Sequence, residues 1–291
     1  MPHDSEASTG SADLGELVRP HVGFPLPVGQ TWGVKKPKAL ILRAPGSAEV
    51  AEPVRPAWID ELLSSVEAAF ALTGATTPGW PDPHPDRDPL EEEYSRCLDQ
   101  GKYGILQTRL DAWRQALTAR GLVQVSEASA TEWVGQVRPP QERPSELHFV
   151  PTAAGGLSLV AATTIVDDAP FGLDLGVRSA DHPSAYLASL PDCGCDACDS
   201  GSADLLGQLD RHLLSIAQGG VIHARLGAEF VTRNLDGWSA SSKGKDSWLD
   251  PSRRAAKNVR RWSGTPWMDL TEGLRQAQPT CPPVPSAPPV P

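Results

Sequence analysis

The hydrophobic period of this chain changes once, near Leu122, from about 3.6 residues to about 2, and that change limits the folds open to it. Upstream, Trp58, Ile59, Leu62, Leu63, Val66, Ala69 and Phe70 recur at spacings of three and four. They predict an amphipathic helix from about Pro56 that Gly74 should stop. Alternating prolines in Gly79-Trp80-Pro81-Asp82-Pro83-His84-Pro85 forbid a helix and remove ladder donors, so a stiff loop follows. Asp88-Pro89-Leu90-Glu91 then resembles a capping box, opening a short helix to about Leu98. Ile105, Leu106, Leu110, Trp113 and Leu117 define another, closed by Gly121.

Downstream of Leu122, strands are expected at 122–126, 146–151, 157–166 and 171–178, with turns at Ala154-Gly155-Gly156 and Asp167-Asp168-Ala169-Pro170. Their short connections imply antiparallel neighbours. In the last of them Phe171, Leu173, Leu175 and Val177 alternate with Gly172, Asp174 and Gly176, which predicts one face on a core and one in solvent. Leu205, Leu206, Leu209, Leu213 and Ile216 mark a further helix, ended by Gly219-Gly220, that should cover the sheet, and 221–225 offers one more strand. The class is therefore α+β: an antiparallel sheet of about four to five strands with helices before and after it. One domain over 51–270 is expected, between a low-order extension at 1–50 and a disordered Pro-rich tail at 271–291.

A net charge of −10 disfavours general attraction to nucleic acid or anionic membranes. The acidic start carries no apolar run of a secretory signal, and nowhere are there about 18 consecutive apolar residues. A cytoplasmic protein is the expectation, and in a reducing compartment its five cysteines are thiols or metal ligands rather than disulfides.

Three of the five lie within Cys193-Gly194-Cys195-Asp196-Ala197-Cys198. Thiolates bind zinc at about 2.3 Å, so three ligands at this spacing need a loop that folds back on itself. Gly194, free to take positive φ, would ease that bend. A closed site needs a fourth ligand. His212 and His223 fall too far along the following helix and strand, whereas His182 and Cys97 are better placed, and Asp192, Asp196 or Asp199 could supply oxygen. Two other readings stay open: structural thiols, and a redox Cys195-x-x-Cys198 pair at a helix N-terminus, although the pair does not follow the first strand of a βαβ unit.

Pro191-Asp192-Cys193-Gly194-Cys195-Asp196-Ala197-Cys198-Asp199, followed by a Leu-rich helix and Gly-Gly, resembles the core of an uncharacterised actinobacterial domain family with a Cys-Gly-Cys-Asp-Ala-Cys motif. The resemblance is most specific over about 170–225. It implies a recurring domain in a bacterial cytosol and no particular substrate.

The rival feature is basic. Arg253, Lys257 and Arg260 would share one helix face with Arg254 and Arg261 beside it, and Lys243 and Lys245 lie upstream. With Trp248, Trp262 and Trp267 the 243–261 segment could hold phosphate or single-stranded nucleic acid. The commoner explanation is a solvated face with packing tryptophans. No GxxxxGK[ST] loop, GxGxxG or G-x-S-x-G elbow is present. The sequence thus points to a non-catalytic cytosolic binding or interaction module with a Cys-rich loop that could hold zinc; a protein partner is compatible and nucleic acid is disfavoured. The alternatives are a thiol redox protein or a zinc-dependent enzyme using the same cysteines.

Overall fold

A computed structural model describes residues 57–135, 144–166, 169–241 and 258–268. The extension at 1–50 and the tail at 271–291 lie outside the described residues. Helix α1 spans Ala57–Thr73 and α2 spans Ile105–Ala119, packed together through Leu62, Val66, Leu106, Leu110 and Leu117. Helix α2 stops as its sequence predicts. Gly121 takes φ 67°, and the amides of Gly121 and Leu122 return to the carbonyls of Thr118 and Leu117.

The helix expected to run to Leu98 is only a 3-10 turn, Glu91–Ser95. Its cap differs too: the Glu93 carboxylate, not Asp88, accepts the Leu90 amide at 2.6 Å. Glu93 is held there by Arg87 and His84, and the next carbonyl, that of Arg96, is taken by the amide of Asp196 instead of continuing a helix.

Strands β1 (Val123–Ser129), β2 (Ser145–Pro151), β3 (Ser158–Val166), β4 (Ala169–Ser179) and β5 (His182–Leu190) form an antiparallel sheet in sequence order. Phe149, Leu159, Ala161, Leu173, Leu175 and Val177 share its inner face, against α2 and α3 (Ser202–Ala217). The strand at 182–190 carries only a weak alternation, which is why sequence reading passed over it.

The outer face of β4 does not meet solvent as its alternation suggests. Asp174 is 1% exposed, and Trp133 lies over the outer face, so close to Gly176 that a Cβ there would meet the indole at 3.0 Å. Residues 131–135, tied to β5 by the Val134–Ser184 and Tyr186–Val134 backbone bonds, cover that side.

A second antiparallel sheet follows α3: β6 (Ile222–Leu226), β7 (Glu229–Arg233), β8 (Trp238–Ala240) and β9 (Arg260–Ser263), in the order β8-β7-β6-β9. Buried Trp262 and Trp267 fasten it to the first sheet, donating indole protons to the carbonyls of Pro183 and Leu157. The architecture is α+β, with one more sheet than the hydrophobic period revealed. Among the described residues no helix is long and apolar enough to cross a membrane.

Candidate metal centre

Between the end of β5 and the start of α3 the chain folds into a compact loop. Cys193, Cys195 and Cys198 bring their sulfurs within 4.8 Å of one another, and Cys193 and Cys195 approach to 3.2 Å. Three thiolates on one zinc require separations of about 4 Å, from tetrahedral geometry at the usual bond length. The sulfurs of the loop stand within about 1 Å of that spacing.

Its turns are built from short-range bonds. Asp192 accepts the Cys193 amide at 2.8 Å, and Asp196–Cys198 forms a single 3-10 turn whose last amide returns to Cys195. Gly194 is required, but not for positive φ, which it does not adopt. The ring of Phe171 occupies the space a Cβ would need. Close packing of the loop on β4 is the reason for glycine.

A second segment clasps the loop from outside. Asp196 accepts from Arg96 Nε at 3.0 Å and from the Leu98 amide at 3.1 Å, while its own amide donates to the Arg96 carbonyl at 2.8 Å. Asp199 accepts from Lys102 Nζ at 2.6 Å, from the Trp80 indole at 2.9 Å and from the Gly201 amide at 2.9 Å. Lys102 also lies over the rings of Trp80 and Tyr103. Two of the three carboxylates offered by the sequence as oxygen ligands, Asp196 and Asp199, are thus engaged in holding two stretches of chain together, whereas Asp192 accepts only the neighbouring Cys193 amide among the described residues.

Burial pushes the Cys193 and Cys198 thiols up, and each lies beside the other sulfurs of the group. The lowered pKa of Asp199 comes despite burial, through its bonds to Lys102, Trp80 and the Gly201 amide. The Cys195 amide donates toward the Cys193 sulfur. The same kind of turn recurs at Cys97, where the Asp99 amide donates toward the sulfur, although burial and the Asp196 charge push that thiol up to about 11.

The candidate fourth ligands separate clearly. His182 opens β5 and the cysteines follow its end, so eight strand steps of about 3.3 Å set it about 26 Å away, and its ring lies against Trp262. Cys97 is flanked by Arg96 and Leu98, the two residues that bind Asp196. Its sulfur stands outside the group that falls within 4.8 Å.

Of the basic segment, Arg253, Arg254 and Lys257 lie outside the described residues, as do Lys243, Lys245 and Trp248. Arg260 and Arg261 do not share a helix. They are consecutive in β9 and so project to opposite faces, because the stretch pairs with β6 as an edge strand. Trp262 and Trp267 are fully buried anchors with no surface left for stacking on a base.

Sequence reading missed a polar row on the outer face of the first sheet. Glu146, 1% exposed, accepts from the Trp133 indole at 2.7 Å and pairs with His148 at 2.7 Å; Ala162 separates it from Asp174, which accepts from Ser189 at 2.5 Å. Burial opposes the Glu146 charge, but these donors hold its pKa below the ordinary value. The alternation of Glu146 with Leu147 was visible. That both faces are buried was not, since Trp133 reaches the row from a loop.

The fold and loop define an α+β domain with a three-cysteine cluster set on the edge of its core. The chain belongs to a family of unknown function, DUF6226, whose profile matches residues 66–270, from within α1 to just beyond β9. The match is broader than the 170–225 core on which the resemblance was drawn, and includes the clasp at 91–102. Comparison with curated proteins and with solved structures finds no match.

Proposed function

We propose that this protein is a non-catalytic cytoplasmic binding or interaction module of actinobacterial type, stabilised by one structural zinc ion. Cys193, Cys195 and Cys198 are three of its ligands. The observation that carries this reading is the convergence of their sulfurs within 4.8 Å in a loop where two neighbouring carboxylates, Asp196 and Asp199, are already occupied by Arg96, Lys102 and Trp80. Cys97 is the fourth ligand in this reading. The hydrogen bonds from Arg96 and Leu98 to Asp196 hold its backbone beside the loop, and its sulfur receives an amide proton from two residues on, as does that of Cys193. A four-thiolate site is closed, with no coordination position for a substrate, so its contribution is to folding.

A redox role has less support. Helix α3 begins only at Ser202, the cysteines sit in a loop and a single 3-10 turn, and the thiol pKa values of Cys193 and Cys198 move away from neutrality. Zinc content decides the matter: protein purified without chelator should carry about one zinc per chain. Replacing Cys193, Cys195 and Cys198 with Ser should remove it. Metal-free protein that is folded, and no less stable than protein supplied with zinc, would overturn the reading.

A further inference from the structure

The second sheet places two arginines side by side. Arg225 in β6 is the direct partner of Arg260 in β9 on one side and of Phe230 in β7 on the other, so all three side chains share one face. The Arg225 guanidinium lies 5.6 Å from the Phe230 ring centroid and fits against Gly135, where φ is 80° and a Cβ would overlap it. Among the described residues Arg225 makes no hydrogen bond and no ion pair, and its Nε is buried without a partner. Burial and the charge of Arg260 both act against its protonated form.

The row behind it is also incompletely satisfied. His223, 1% exposed, meets Thr232 Oγ1 through Nδ1 at 2.7 Å, while its Nε2 is buried with no partner. Like charges at directly opposed strand positions are destabilising, and a half-buried cation without a counter-ion is costly unless something offsets it. An anion between Arg225 and Arg260 would remove both costs.

We propose that Arg225, with Arg260 at the rim, forms a discrete receptor for a phosphate-type oxyanion. A planar guanidinium engages two oxygens of such a group at once, and two adjacent guanidinium groups match its double charge. Arg261 projects to the opposite face and is not part of the receptor. The site is independent of the cysteine loop. It also differs from a nucleic-acid surface, since the net charge is −10 and, among the described residues, Trp262 and Trp267 are buried and offer no stacking track beside the two arginines.

Inorganic phosphate is the probe, titrated calorimetrically into full-length protein at constant ionic strength, with chloride as the reference. Wild-type protein should bind one phosphate saturably, Arg260→Gln should weaken binding about tenfold or more, corresponding to about 1.4 kcal/mol, and Arg261→Gln should leave it unchanged. Arg225→Lys, which keeps the charge but loses the planar fork, should weaken it similarly, and guards against a failure of Arg225→Gln to fold. Absence of saturable binding in wild type, as would follow if a carboxylate of the chain itself fills the position, overturns the proposal. So does equal binding by wild type, Arg225→Lys and Arg260→Gln.

Discussion

Arg96 and Asp196, a hundred residues apart in the chain, meet at 3.0 Å and join the segment after the first 3-10 turn to the cysteine loop. Asp196 has two jobs, since it also accepts the Leu98 amide. Asp196→Ala should therefore destabilise by about 1–3 kcal/mol, the cost of leaving such donors unmet, whereas Arg96→Ala, at a partly exposed pair, should cost about 1 kcal/mol or less. Denaturant unfolding of the two variants checks the order.

The buried ion network of the helical layer should be far more sensitive. Arg109, nearly inaccessible on α2, donates to Asp210 on α3 through Nε and Nη2 and to Glu67 on α1, and the Trp113 indole donates to Asp210 at 2.6 Å. Asp210→Ala leaves a buried guanidinium with only exposed Glu67 as a counter-ion, and should cost about 3–5 kcal/mol. Replacement of Arg109 and Asp210 together by apolar residues should cost less than Asp210→Ala alone. Chemical denaturation of single and double variants measures this.

Gly194→Ala tests why the loop contains glycine. Its Cβ would enter the space of the Phe171 ring, so the variant should loosen the cysteine loop and weaken any bound metal, although no backbone conformation is forbidden. Phe171→Leu should partly restore Gly194→Ala. A competitive zinc chelator titration reports both; unchanged affinity in Gly194→Ala would exclude the packing explanation.

The second sheet should give the protein an acid-sensitive limb. Burial, and secondarily the Arg225 charge, lower the His223 pKa to about 3 from an ordinary value near 6.5. Unfolded chains then bind a proton that the folded state refuses. Stability from this group is complete above pH about 6.5 and is lost as pH falls toward about 3, by up to about 1.4 kcal/mol per unit. His223→Gln should flatten that part of a stability profile measured between pH 7 and 4.

Helices α1, α2 and α3, strands β1 to β4 and β6, and the cysteine cluster were legible because each carries a local signal: an apolar period, a glycine stop or a ligand spacing. What could not be read depends on contacts between distant segments. Strands β5, β7, β8 and β9 look polar or irregular locally, and Asp174 looks solvent-facing by alternation although it is 1% exposed. For the same reason His182 looked close to the cysteines in sequence, but a strand carries it to the other end of the sheet, while the backbone on either side of Cys97, nearly a hundred residues away, is tied to the loop through Asp196.

X-ray absorption at the zinc edge tests the central claim most directly, on full-length protein purified without chelator. A closed site of Cys97, Cys193, Cys195 and Cys198 predicts a single shell of four sulfurs at about 2.3 Å, reduced to three with one lighter ligand in Cys97→Ser. Protein without zinc, or zinc surrounded mainly by nitrogen and oxygen, would contradict it.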